Sequence, residues 1–195
     1  MKTAKMIPLL LVSFLAAPVF AQSTATEVKR DVNQQQRIEN GLKSGQLNTR
    51  EAAKLEHEET RVDRAQANAL KDGKFSVTEK ARIEQMQNKV SNDIHADRTN
   101  AQTGNPDSTS SKRMQADVQR NVNQEQRIEA GVKNGSLTNH EVAKLERGQA
   151  RIDAKEAVAG HDGHVSAAEQ ARVQRTENRQ SRRIHRQKHD AQQRG

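Results

Sequence analysis

Apolar residues recur along the chain at gaps of three, four and seven, and nowhere do they alternate. Val28, Val32, Ile38 and Leu42 mark one stripe; Ala52, Leu55, Val62 and Ala69 a second; Ile83, Met86, Val90 and Ile94 a third. Such spacing lines one face of an α-helix, whereas a half-buried strand would show a period of two. It predicts helices over about 25–43, 48–70 and 76–102. A helix of 23 residues is roughly 35 Å long, so three of them make a slim antiparallel bundle. The stripes are narrow and rich in alanine, which predicts modest stability for each bundle.

The pattern is written twice. Residues 27–105 align with 117–195 at a constant offset of 90, without a gap and with about 34 identities in 79 positions. Between the copies lies a stretch rich in Gly, Asn, Pro, Ser and Thr, which reads as a flexible linker. The expected architecture is therefore all-α: two tandem three-helix bundles, residues 25–102 and 114–190, joined by a linker at 103–113 and followed by a short tail at 191–195.

Each copy holds two octets of one formula, polar-Gly-x-apolar-(Asn/Ser/Thr)-x-x-Glu, at Ser44–Glu51 and Asp72–Glu79, then at Asn134–Glu141 and Asp162–Glu169. The glycine can take the left-handed conformation that closes a helix. The Asn, Ser or Thr can cap the next helix, and the Glu three residues on can reach back to the cap's own N–H, which makes a capping box. Every residue of the formula thus has a use in stopping one helix and starting the next.

Tight turns also fix heights. With Leu70 and Ser76 flanking one turn, levels on the second and third helices have residue numbers summing to about 146, and to about 326 in the second copy. The first and third helices then run parallel, placing Asn33, Gln36, Asn88 and Ser91 at one height. The second copy keeps all four, as Asn123, Gln126, Asn178 and Ser181. Two readings stand open: an internal polar layer that sets helix register, or a solvent-facing group.

Composition narrows the functions. There is no Cys, Trp or Tyr, which excludes a disulfide scaffold, a thiol enzyme, a Cys-based zinc site and a large aromatic pocket. Leu, Ile, Val, Met and Phe make up about 16% of the residues beyond position 21, below the ~20% that globular chains usually exceed. Lys2 and Lys5 precede an apolar run from Met6 to Ala17, and Val19 and Ala21 stand at −3 and −1 of a cleavage site. That is an export signal, residues 1–21, too short to span a membrane. The expected mature chain begins at Gln22 and lies in the periplasm or outside the cell, without a lipid anchor or a membrane span.

The octets around Asp72 and Asp162 resemble the second half of an EF-hand loop. Asp72 and Gly73 match its fifth and sixth positions, Phe75 the eighth, Ser76 the ninth and Glu79 the bidentate twelfth; the second copy offers Asp162, Ser166 and Glu169. The resemblance implies calcium at those residues. The first half departs from the family, with Asn68 and Leu70, or Val158 and Gly160, at positions one and three, so two carboxylate ligands are missing. Capping explains both the residues kept and those lost, and is the preferred reading. As a whole the chain resembles exported bacterial tandem-repeat helical proteins, a resemblance that implies no activity.

Histidine offers a second metal candidate. His185 and His189 are one helical turn apart, and the turn register sets His140 near residue 186, so a three-His zinc or copper site is geometrically open beside the plain alternative of solvent-facing rings.

Charge is uneven. Residues 27–102 carry 14 basic and 13 acidic side chains, residues 113–195 carry 16 and 11. The excess sits in the last helix, where Arg172, Arg175, Arg179, Arg182 and Arg186 recur on one face with Arg183 and Lys188 nearby. Such a ribbon attracts anionic polymers or a phosphate-bearing envelope surface. Nothing suggests sequence-specific DNA reading, and no aromatics are present to stack on single strands. No acid, base or nucleophile is paired with an orienting partner, so no enzyme is expected. The leading expectation is an exported, non-enzymatic binding or stress protein that contacts polyanions through its last helix; the alternative is a divalent-metal binder.

Overall fold

A computed structural model of the chain describes residues 19–192, with side chains from Thr24 onward. The export signal assigned to residues 1–21 lies outside the described residues except for its last three positions, and so does the end of the tail. The described residues form six α-helices and no strand: α1 (Val19–Ser44), α2 (Thr49–Ala69), α3 (Val77–Thr99), α4 (Thr109–Lys133), α5 (Asn139–Gly160) and α6 (Ala167–Lys188), with one 3-10 turn at Leu70–Asp72 after α2.

The octets do what their chemistry allows. Gly45, Gly73, Gly135 and Gly163 all have positive φ, between 74° and 88°. Asn48, Ser76, Thr138 and Ser166 each accept from the backbone N–H three residues on, and Glu51, Glu79, Glu141 and Glu169 return the bond to the cap. The connection between copies is shorter than its composition suggested. Ser108 caps α4 through Ser111 N, and Gly104 N donates to Gly45 O at 2.8 Å, fastening the segment to the first turn.

Helix heights follow the turns. Gln180 Nε2 donates to Leu145 O, Lys89 pairs with Glu58, and Arg37 donates to Ser91 Oγ. The four-residue polar group faces outward, however. Asn33 is exposed, and Asn88 and Ser91 accept from Arg30 and Arg37, with Arg120 to Asn178 and Arg127 to Ser181 repeating the pattern.

The copies do not close two separate cores. Helix α1 runs along α4 and α2 along α5, so that these four make a central bundle; α3 lies over α1 and α2 on one flank, and α6 over α4 and α5 on the other. Both central pairs are antiparallel: Lys43 Nζ reaches Gln119, and Arg50 donates to the Asp162 carbonyl. Each apolar cluster draws on both copies. At one end Ile38, Leu42, Leu47 and Leu55 meet Met114, Val118, Ile152 and Val165; at the other Val28, Leu70, Phe75 and Ile83 meet Ile128, Leu137, Leu145 and Ile184. The reason lies in the narrow stripes. Helices α1 and α2 bury a second face besides the one that meets α3, and only the other copy can cover it.

Candidate metal centre

Between the two apolar ends the central bundle has a polar waist. Asp31 enters from α1; Glu56, Glu59 and Asp63 from α2; Glu125 from α4; Glu146, Asp153 and Glu156 from α5. All eight carboxylates are at most 3% exposed. The spacing explains the convergence. Residues 56, 59, 63 and 66, like 146, 149, 153 and 156, recur at three, four and three, which holds them on one helical face.

Two triads bring their oxygens within 4.8 Å of one another: Asp31, Asp63 and Glu146, and then Glu56, Asp153 and Glu156. Oxygens so placed can share one ion at the ~2.3–2.6 Å of a calcium–oxygen bond. Carboxamides complete each group. Gln66 Nε2 donates to Asp31 Oδ2 at 2.7 Å, Asn121 Nδ2 to Asp153 Oδ1 at 2.6 Å, and Gln35 Nε2 to Glu56 Oε2 at 2.9 Å. The triads adjoin, because the Asp63 and Asp153 carboxyls lie close enough to interact.

None of the eight carboxylates has a Lys or Arg partner among the ion pairs of the described residues. Neither oxygen of Glu59, Glu146 or Glu156 has a hydrogen-bond partner. Burial pushes the carboxyls of Asp31 and Asp153 up to about 7, against the hydrogen bonds that favour their charged forms. It pushes Glu56, Glu59, Asp63, Glu125, Glu146 and Glu156 well above the carboxylate range, and mutual repulsion adds to the shift. Isolated buried charges cost several kcal/mol each. Such a waist holds either protons or cations.

No family model, curated protein or solved structure matches this chain. What the site does must therefore be argued from its own atoms.

The metal ligands expected from sequence lie elsewhere. In the loops, Asp72 Oδ1 accepts from Lys74 N and Asp162 Oδ1 from His164 N. Glu79 and Glu169 each spend an oxygen on the N–H and hydroxyl of Ser76 and Ser166, bonds that hold the Glu169 carboxyl below its usual range. His140 Nδ1 meets the Lys71 carbonyl of the other copy, and the His185 and His189 rings are 4.3 Å apart. The three histidines do not bring their ligand atoms together: among the described residues, the converging groups are the two acidic triads.

The arginine ribbon is on the surface. Arg172, Arg175, Arg179, Arg182, Arg183 and Arg186 are exposed, and Lys188 is half-buried, donating to the Arg127 carbonyl. Arg183 and Arg186 share a groove of about 500 Å³ with Lys144, Arg147 and Arg151 of α5, beside a single acid, Asp190.

Sequence reasoning missed the waist because its acids look like ordinary surface glutamates. One signal was available. Glu56, Glu59, Asp63 and Gln66 share a phase with Ala52, Leu55, Val62 and Ala69, and the second copy keeps an acid or amide at each polar position.

Proposed function

We propose that this protein is an exported, non-catalytic binder of hard metal cations, which it takes into the waist of its central bundle. The observation that carries the reading is the convergence of eight buried carboxylates without a basic partner, three of them with both oxygens unpartnered. Oxygen-only donors favour calcium, magnesium or manganese over zinc and copper, which prefer nitrogen and sulfur. Residues that would hold the ions are Asp31, Asp63 and Glu146 on one side and Glu56, Asp153 and Glu156 on the other. Export rests on the basic and apolar pattern of residues 1–21.

The test is calorimetry of the chelator-treated full chain with calcium, manganese and zinc, together with thermal melting. Calcium or manganese should give heat and raise the melting temperature. At an ion concentration of 100 Kd the stabilisation is about 2.7 kcal/mol. Titrations silent to millimolar ion, with an unmoved melting temperature, end the reading.

A second reading has its own support in the basic groove between α5 and α6. Five cations there face one acid, and removing the eight waist carboxylates from the formal charge of +8 leaves +16 for the rest of the chain. Polyanion binding would fall steeply with salt. Deleting α6 would also remove buried Val173 and Ile184, so reversing the exposed Arg183 and Arg186 to Glu is the cleaner test. Unchanged binding to a phosphate polymer after that reversal would exclude the groove.

A further inference from the structure

The duplication allows the two halves of the waist to be compared position by position. On one side stand Asp31, Glu59, Asp63 and Gln66 of the first copy, with Glu125 and Glu146 of the second. The other side holds their counterparts, Asn121, Gln149, Asp153, Glu156, Gln35 and Glu56. The facing is consistent: Gln149 Nε2 donates to Asn121 as Glu59 faces Asp31, and Gln35 donates to Glu56 as Glu125 faces Glu146.

Two of the six related pairs are identical. In the other four a carboxylate has been exchanged for a carboxamide, and in none has either been exchanged for an apolar or basic residue. A structural core would accept Leu or Met at such positions, since well-packed apolar side chains replace buried charges without loss. What survives divergence is an oxygen acceptor at every position. That is the requirement of a hard cation, because carboxylate and carboxamide both present a ligand oxygen.

The exchanges are not balanced. They leave five carboxylates and one amide on the first side, and three carboxylates and three amides on the second. Amide N–H groups satisfy much of the second side, whereas on the first they reach the two oxygens of Asp31, from Gln66 and from Gln87 of α3. On the first, both oxygens of Glu59 and Glu146 and one each of Asp63, Glu125 and Gln66 have no hydrogen-bond partner; on the second, that holds for both oxygens of Glu156 and one each of Glu56, Gln35 and Gln149.

We propose that the waist is an unequal two-cation centre, in which the side built around Glu146, Asp31 and Asp63 fills first and tightly, and the side built around Glu156, Glu56 and Asp153 fills second and weakly. The proposal rests on the cation reading above. Affinity for hard cations rises with the negative charge gathered around the ion; each triad supplies three carboxylates, and Glu59 and Glu125 add two more charges beside the first. The Asp63–Asp153 contact between them makes the second ion enter against the charge of the first.

The experiment is a manganese titration of the chelator-treated full chain, counting free ion by its paramagnetic resonance signal. The wild-type chain should take up one equivalent tightly and a second at higher concentration. Glu146→Gln should weaken the tight step by more than about tenfold, since even outer-shell changes cost 10–100-fold, and leave the weak one. Glu156→Gln should do the reverse. Two equal steps in the wild-type chain, or the same loss from both variants, would overturn the inequality while leaving cation binding intact. No uptake by folded wild-type protein would instead remove the cation reading itself. Far-UV circular dichroism of each variant shows that it is folded, and asparagine at Asp31 and Asp153 supplies a second pair that reads the same two steps.

Discussion

Single residues divide into those that bend the chain and those that load its centre. Gly73 and Gly45 both have positive φ, but a Cβ on Gly73 would meet nothing within 4 Å, whereas one on Gly45 would lie 2.9 Å from the Gly104 carbonyl oxygen. Gly73→Ala should therefore cost about 1–2 kcal/mol, the strain of a left-handed residue alone. Gly45→Ala should cost more, because the segment that leads into α4 must also shift. Urea midpoints of the two variants check this, and equal losses would show that the fastening of Gly104 contributes nothing. In the centre the sign reverses. Glu146 has both carboxylate oxygens without a partner, so Glu146→Gln should raise the melting temperature of the chelated protein at pH 8 while blunting its response to manganese. A residue kept for stability would give the opposite pair of results.

At the scale of elements, the close pairing of α2 with α5 depends on small side chains where they cross. A Cβ on Gly160 would lie 2.9 Å from the Ala53 Cβ and 3.0 Å from the Thr49 carbonyl oxygen. Its counterpart in the first copy is Leu70, buried in the opposite apolar cluster. Gly160→Leu should destabilise by about 1–3 kcal/mol through overpacking, read as a lower urea midpoint; an unchanged midpoint would mean that the helices separate freely there. Helix ends were legible from sequence because each octet carries its own stop and start in eight consecutive residues. Heights within a copy were legible because short turns leave no slack: Gln180 meets Leu145 where the turn at Gly163 requires. The pairing of α1 with α4 and α2 with α5 was not legible, since it joins faces whose residues are Gln, Glu and Asp. A polar face at helical spacing reads as solvent-facing until a partner of the same kind is found to cover it. The waist went unseen for the same reason, although its three-four-three spacing in phase with Leu55 and Val62 was present in both copies.

For the whole molecule, the buried acids tie stability to pH. Asp31, Asp117 and Asp153 are pushed up to about 7, and Glu177 to about 8, chiefly by burial. An unfolded chain loses these protons near pH 4, so between pH 4 and 8 the folded state binds more protons than the unfolded one. Stability then falls as pH rises. The melting temperature of chelated protein should drop from pH 5 to pH 8, and calcium should recover part of the loss at pH 8, but not the share owed to Asp117 and Glu177, which lie outside the triads. A flat profile would contradict the burial of the acids. The same interior decides whether half of the molecule can fold. An isolated second copy, residues 108–192, would expose Glu125, Glu146, Asp153 and Glu156 together with Met114, Val118 and Ile152, all now buried, and its three helices would keep only the contacts among α4, α5 and α6. Water would solvate the acids, but nothing would cover the apolar residues between them. The central bundle is built from related halves in antiparallel pairs, so a second identical half has the right shape to replace the missing one. The expected outcome for the excised copy is a helical dimer at high concentration that loses its helix signal on dilution. Sedimentation and circular dichroism across a dilution series check this. A concentration-independent, cooperatively melting monomer would mean that each copy closes its own core after all, and the shared waist would then have to be abandoned along with the cation sites placed in it.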